Sequence, residues 1–381
     1  MISVHSLRRI ASHRLLLPDS TLLPSPLVTV DGDGRILAVE SVSDVDRREG
    51  VEFYPGLLVP GFVNAHCHLE LSHLGGFVPR RCGFAGFARA MGAARGRFTD
   101  EERSMAAAAA AAAMWHEGVA AVGDISNGPA SFAVKAASPL RFRNWIELFG
   151  LGVRDAEALR PLLDRPNTSL TPHSVYSVQD APFRAICAAG REPLSIHFME
   201  SAGEAELFAG RGELAEWYAA QGWTCDFLGY GMPSERIVES VPADRSVVLV
   251  HDCHVTQPDI DIIMSHFTAP VWWCLCPRSN DFISGVRPPV ELLRRNGLNI
   301  CIGTDSMASN DSLSMLEEVR ALSDMPLAEA LAAATLGGAR ALGFDDLGAV
   351  EPGRRPGLAV VSGVDFDTMT LRATAAARRV V

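Results

Sequence analysis

The chain has 381 residues, 48% of them hydrophobic, enough for one large domain and a smaller one around a sizeable core. The formal net charge of −11 argues against a nucleic-acid surface, because phosphate binding needs clustered Lys and Arg. Lys135 is the only lysine, and the arginines are scattered, in short pairs such as Arg80-Arg81, Arg294-Arg295 and Arg354-Arg355.

The eight cysteines include no Cys-x-x-Cys pair, so neither a zinc ribbon nor a thioredoxin-type motif is expected. Cys274 and Cys301 lie in apolar, strand-like runs and read as small core residues. Cys67 and Cys253 sit between polar neighbours at expected strand ends. A large chain with scattered cysteines and no disulfide framework reads as cytoplasmic. The opening Met1–Arg9 segment does not read as a signal peptide.

Residues 1 to 57 carry short β-like pieces, Arg14–Leu17, Leu27–Val30 and Ile36–Val42, bounded by prolines and the Asp31-Gly-Asp-Gly turn. Next comes Leu58-Val-Pro-Gly-Phe-Val-Asn-Ala-His-Cys-His68, an apolar run leading to two histidines. In a strand, residues i and i+2 share a face, so both imidazoles can aim at one point. Such convergence suits a transition metal. The plain alternative is two hydrogen-bonded histidines at a strand end.

The stretch from Gly75 to Arg97 lacks strand periodicity and holds Phe77, Phe84, Phe87 and Met91. It reads either as a loop capping a barrel mouth or, from the spacing of Phe84, Phe87 and Met91, as a helix face packed on the barrel. Thr99 and Glu102 form a capping box for a helix over Glu101–Glu117. Its Ala106–Ala113 run is too short and too flanked by charge to span a membrane.

Eight candidate strands then alternate with helices: Leu58–Asn64, Val119–Asp124, Arg141–Phe149, Thr168–Pro172, Leu194–His197, Ser246–His251, Ala269–Leu275 and Asn299–Gly303. Intervening helices include Asp180–Ala189, Gly203–Gln221 and Val290–Asn296, and Leu327–Ala341 closes the series. The pattern predicts an α/β fold, a (β/α)8 TIM-type barrel over residues 58–344. An open doubly wound sheet is the runner-up, weakened by the lack of Gly-x-Gly-x-x-Gly after the first strand. Residues 1–57 and 345–381, with pieces at Gly348–Val350 and Leu358–Val361, are expected to form a small β-sandwich domain.

In such a barrel, catalysis belongs at the C-terminal strand ends. Those positions hold His66 and His68, His173, His197, His251 and Asp305. Each alone fits a core residue or cap, and for Asp305 a turn or helix cap. Together they fit one mouth.

These residues carry a resemblance. His66-Cys-His68, Ser195-Ile-His-Phe-Met-Glu200, Leu249-Val-His251 and Gly303-Thr-Asp-Ser306 resemble the metal-dependent amidohydrolase superfamily. Thr171-Pro-His-Ser-Val-Tyr176, Cys276-Pro-Arg-Ser-Asn280 and Gly303–Asn310 are similar to its deaminase and chlorohydrolase branch. His68-Leu-Glu-Leu-Ser72 most resembles aminodeoxyfutalosine deaminases and their relatives. Gly353-Arg-Arg-Pro-Gly-Leu-Ala-Val-Val361 departs from the family's usual C-terminal strand.

The resemblance implies metal ligands His66, His68, His197 and Asp305, holding one divalent ion, Zn²⁺ or Fe²⁺. Lys135, in a helix after the second strand, is not placed as the bridging lysine of binuclear members. The resemblance also implies metal-assisted hydrolysis, with Glu200, His251 and Asp305 moving protons. His173 and Tyr176 would contact substrate, and Arg278 and Asn280 would contact substrate or support their loop. Glu70 shares the face of His66 and His68 if the strand continues, and would bind a substrate hydroxyl or form a structural salt bridge. Asp252 and His254 read as surface or supporting groups, and His73 as loop surface or lid.

The leading expectation is hydrolytic deamination of an aminopurine nucleoside-like or related heterocyclic small molecule, with no membrane or nucleic-acid partner; a homodimer would fit the family. The alternatives are cyclic amide or chloride hydrolysis on the same barrel, a non-catalytic metal-binding or scaffolding protein, and a metal-free barrel.

Overall fold

A computed structural model describes residues 7–44, 46, 48–94, 96–151 and 159–381. Residues 1–6, part of the N-terminal segment assessed above, lie outside the described residues, as does Arg95 of the Gly75–Arg97 stretch.

Eight parallel strands form, seven of them within two residues of their expected bounds. They are Phe62–Cys67, Val119–Ser126, Arg141–Leu148, Thr168–Pro172, Leu194–Phe198, Val247–His251, Val271–Leu275 and Asn299–Ile302, called here the first to the eighth parallel strand. The first four make one parallel sheet and the last four another. The sheets meet at both seams through single bridges, Cys67 with Asp305 and Ser174 with His197. At one seam the His197 N–H donates to the His173 carbonyl at 2.8 Å, and at the other the Asp305 N–H donates to the His66 carbonyl at 3.1 Å. The architecture is α/β of the TIM-barrel type. Each seam is a bridge at the C-terminal end of the strands rather than a full ladder.

The first strand differs from expectation. The apolar run Leu58–Asn64 is not one strand. Leu57–Pro60 pairs antiparallel with Leu358–Val361 and parallel with Arg14–Leu15, in a five-stranded sheet shared by the N- and C-terminal segments. Phe62–Cys67 starts afresh in the parallel sheet. The break is at Gly61, where a Cβ would lie 2.6 Å from the Pro356 carbonyl oxygen and 2.8 Å from the Ala120 Cβ. Only a residue without a side chain lets the chain cross there. The expected helix Gly203–Gln221 is likewise two, Ala202–Phe208 and Glu213–Ala220, because Gly210 and Gly212 take φ of 69° and 89° between them.

Other elements follow their local signals. Thr99 and Glu102 cap the helix Asp100–Glu117 reciprocally. Val63, Ala65, Trp145, Val248, Cys274 and Cys301 are buried against Ala339 and Leu342 of the last helix. All eight cysteines are free thiols. Among the described residues no helix is long and apolar enough to cross a membrane.

Gly61→Ala is expected to destabilise the fold by about 1–3 kcal/mol through overpacking. Gly92→Ala, in the helix Gly83–Ala94 with nothing within 4 Å of its added Cβ, should be neutral or stabilise by up to about 1 kcal/mol. Urea unfolding midpoints of the two variants check the contrast.

Candidate metal centre and active site

His66 ends the first parallel strand, fully buried, and His68 lies just beyond that strand's last residue, Cys67. His197 comes from the fifth strand and Asp305 from the turn after the eighth. One ligand atom from each of the four lies within 4.8 Å of all the others. His68 Nε2 is 3.3 Å from His197 Nε2. Asp305 Oδ1 is 3.7 Å from His66 Nε2 and 3.5 Å from His68 Nε2. Neither ring nitrogen of His66 has a hydrogen-bond partner, although both are buried. Buried polar atoms are normally paired, so this cluster fits a divalent ion: three imidazole nitrogens and one carboxylate oxygen converge.

The surroundings leave the right lone pairs free. His197 Nδ1 lies 2.9 Å from the His173 carbonyl oxygen. A carbonyl only accepts, so the proton sits on Nδ1 and Nε2 faces the cluster. Asp305 Oδ2 accepts from Ser279 Oγ at 2.7 Å and from Ser309 Oγ at 2.5 Å, and Oδ1 faces the histidines. Burial, with neighbouring imidazoles, holds His197 well below the usual histidine range; His66 is lowered by burial too. Burial pushes the Asp305 carboxyl up, but the neighbouring His66, His68 and His251 rings outweigh it and hold it well below the usual carboxylate range. Neutral rings beside an ionised carboxylate are the protonation states a cation requires.

Two further expected residues stand beside the cluster. Glu200 Oε1 is 3.8 Å from His251 Nε2, and both side chains are buried. Burial, reinforced by Asp305 and Glu204, raises the Glu200 carboxyl well above its usual range. Burial lowers His251 to about 3. Asn280 Nδ2 lies 3.0 Å from His251 Nδ1; an amide nitrogen only donates, so the ring proton sits on Nε2. The N–H groups of Met199 and Glu200 donate to Glu204 at 2.8 and 2.7 Å, which fixes the turn carrying Glu200.

His173 Nδ1 pairs with Ser177 Oγ at 2.8 Å, and its ring stacks on His197 at 4.5 Å between centroids. Tyr176 is buried, its hydroxyl has no partner, and its ring meets Phe84 edge to face at 5.8 Å. Phe84 belongs to the helix Gly83–Ala94, whose Phe87 and Met91 pack with Leu74, Val78 and Phe282. The aromatic stretch is thus a packed helix, with one ring reaching Tyr176.

Several expectations change. The strand does not continue to Glu70, which lies in the 3-10 turn Leu69–Leu74. Both its oxygens accept from the Asn127 N–H at 3.1 Å, and burial raises its carboxyl to about 7. Arg278 turns to Ser312 Oγ at 2.9 Å and Asp311 at 3.6 Å, lining a separate cavity of about 170 Å³ with Arg80 and Arg287; its guanidinium is not brought to the cluster. Asp252, read as surface or supporting, is fully buried with neither carboxylate oxygen partnered, and His254 donates its backbone N–H to the Met199 carbonyl at 2.9 Å. His73 meets Phe98 edge to face at 4.9 Å. Lys135 does lie in a helix after the second strand, but it is buried and pairs with Asp124, donating also to Ser126 and Asn144 at 2.8 and 2.9 Å.

Sequence reasoning assigned no role to six supporting residues. Ser279 and Ser309 hold Asp305, and Glu204 was visible as the last residue of a Ser-x-x-Glu capping signal. Asp124 Oδ1 accepts from the Leu69 N–H at 2.7 Å, directly after His68. Glu147 is a charged residue among the apolar Trp145, Ile146 and Leu148 at the end of the third strand, and that local contrast was its only signal. Behind them, Glu318 accepts from Asn310 Nδ2 at 2.7 Å and the Arg278 N–H at 3.1 Å, joining the two loops that hold Asp305.

Fold and cluster define a metal-dependent hydrolase. The amidohydrolase family profile matches residues 57–378, and the chain belongs to that family. It is similar to a 5-methylthioadenosine/S-adenosylhomocysteine deaminase of Halobacterium salinarum, 28% identical over 389 residues, covering 94% of this chain and 84% of the relative. An adenosine deaminase of Helicobacter pylori is 27% identical over 339 residues, covering 81% and 79%. Among solved structures, Helicobacter pylori aminofutalosine deaminase in complex with methylthio-coformycin matches with a TM-score of 0.78 and 27% identity, over 93% of this chain and 92% of that one. An adenosine deaminase from Xanthomonas campestris with bound zinc matches with a TM-score of 0.71 and 25% identity, over 96% and 87%. The chain is a hydrolase of non-peptide carbon–nitrogen bonds, of the deaminating kind.

Burial raises Glu318 to about 8, so its contribution to stability is full below its unfolded pKa and is lost as pH rises through about 8. Glu318→Gln should flatten this part of the pH dependence, read as urea midpoints between about pH 5 and about pH 9.

Proposed function

We propose that the chain hydrolytically deaminates a 6-aminopurine nucleoside or a close nucleoside-like relative, using one zinc ion held by His66, His68, His197 and Asp305. The observation that carries the reading is Glu200 facing His251 at 3.8 Å beside that four-residue cluster. A deaminase must protonate a ring nitrogen while water adds to the neighbouring carbon, and a buried, protonated carboxyl is suited to that. The names of the similar proteins, deaminases of adenosine-type compounds, support the substrate class. The zinc bound in the Xanthomonas enzyme supports the metal.

A divalent ion in the cluster supplies Lewis acidity that makes water nucleophilic near neutral pH. Glu200 donates its proton to the ring nitrogen beside the amine-bearing carbon. His251 Nε2–H hydrogen-bonds to the incoming oxygen, Asp305 accepts one water proton and passes it to the departing amine, and Glu200 recovers its proton from the hydroxyl as the carbonyl forms. Water and the amine are thereby exchanged for a carbonyl and ammonia. His173 and Tyr176, the latter with a free hydroxyl, face the heterocycle, and Glu70 faces a substrate hydroxyl. The bridges at both seams support a closed eight-stranded barrel over residues 58–344. The five-stranded sheet shared by both terminal segments supports a small β-sandwich domain of residues 1–57 and 345–381.

Metal-loaded protein should release ammonia from at least one member of a panel of adenosine, 5-methylthioadenosine, S-adenosylhomocysteine and aminodeoxyfutalosine. Glu200→Gln should lower kcat by about 10²–10⁴-fold with the metal retained. Asp305→Ala should lose both metal and activity. Ammonia silence in protein shown to hold its metal would favour amide or chloride hydrolysis instead.

A second expected outcome concerns His173. His173→Ala should raise KM more than it lowers kcat, because the residue binds the heterocycle in ground and transition state alike. Steady-state kinetics on the best substrate of the panel decide it.

A further inference from the structure

Glu147 is buried to 3% exposure in the third parallel strand, which carries no member of the four-residue cluster. Its Oε2 accepts from Asn127 Nδ2 at 2.8 Å. Its Oε1 has no hydrogen-bond partner among the described residues and faces His197 Nδ1 at 3.7 Å. Asn127 is held at its other end too, because its backbone N–H is taken by both oxygens of Glu70 at 3.1 Å. A chain of contacts thus runs from Glu70 in the turn after His68, through Asn127 and Glu147, to the far side of the His197 ring.

A buried carboxylate with an unfilled acceptor is costly, and an apolar residue of similar size would serve packing alone as well or better. The group it faces is the N–H side of an imidazole whose other nitrogen points into the cluster. A histidine bound to a cation becomes a stronger donor at its other nitrogen, and a carboxylate there fixes the ring and raises its basicity. The His173 carbonyl already accepts from that nitrogen at 2.9 Å, so Glu147 adds charge where the carbonyl adds direction.

We propose that Glu147, held by Asn127, is a positioning residue that secures His197 as a metal ligand and ties it to the turn following His68. This rests on the metal-centre reading above. Its test does not depend on turnover. Metal-loaded wild type, Glu147→Gln, Asn127→Ala and the double variant are titrated with a chelator, and retained zinc is measured per chain. Glu117→Gln is the structural control: Glu117 is another largely buried carboxylate, accepting from the Met315 N–H at 2.9 Å, outside the cluster.

Glu147→Gln should lose zinc at about ten- to hundredfold lower chelator concentration than wild type, with the urea midpoint of the metal-free protein unchanged. Asn127→Ala should show a smaller effect in the same direction. The double variant should match Glu147→Gln, because both act along one path. Glu117→Gln should lose stability and keep its zinc. Wild-type retention in Glu147→Gln would overturn the proposal and leave the metal centre standing. So would zinc loss that only follows loss of stability, in Glu117→Gln as in Glu147→Gln. Wild type that holds no zinc would overturn the metal-centre reading and the proposal together.

Discussion

Three buried imidazoles and one buried carboxylate converge on a single place. His66 alone leaves both ring nitrogens unpaired in the interior. Such groups are expensive to bury without a partner. The structure spends the ends of the first, fifth and eighth strands on bringing them together, and much nearby hydrogen bonding has the same purpose. Ser279 and Ser309 take one oxygen of Asp305, the His173 carbonyl takes one nitrogen of His197, and Asp124 takes the N–H after His68. In each case the bond occupies the side of the group turned away from the cluster, or pins its backbone.

The backbone carries strain at the same places. Met199, His251, Asp252 and Asp305 all have positive φ, at 50°, 85°, 56° and 57°. Each such conformation costs about 1–3 kcal/mol and persists only where its surroundings over-determine it. Glu204 holds Met199 and Glu200 by their N–H groups, and Asn280 holds the His251 ring. These turns aim Glu200 and His251 at each other across the cluster instead of letting the chain run straight into the next helix. Strain, capping and the separation of protonation states in Glu200 and Asp305 are one arrangement seen at three levels.

Much of this was legible in the sequence. Most of the strands were readable because they are short, largely apolar runs bounded by turn residues. Their polar ends were readable because His and Asp stand out against Val, Leu and Ile. Glu70 was placed wrongly because periodicity cannot show where a strand ends: two-residue alternation was carried past Cys67 into a 3-10 turn. The Leu58–Asn64 run misled for a related reason. Its apolar pattern is unbroken, and the change of sheet at Gly61 depends on Pro356, nearly three hundred residues away. Arg278 follows a motif residue, yet its partners Asp311 and Ser312 come from another loop.

By itself the sequence determined most of the order of strands and helices and pointed to the four convergent side chains and the pair beside them. Periodicity, caps and residue chemistry are local properties, and a resemblance of motifs joined them into one expectation. Tertiary structure alone decided which buried carboxylates stand behind the ligands. Asp124 looks like any acidic residue in a linear reading, and the local signals of Glu147 and Glu204 do not say which groups they face. Their meaning comes from distance: 2.7 Å to the N–H after His68, 3.7 Å to the far nitrogen of His197, 2.7 Å to the N–H of Glu200. Electrostatic and hydrogen-bond energies fall off within a few ångströms in space, and only the folded chain sets those separations.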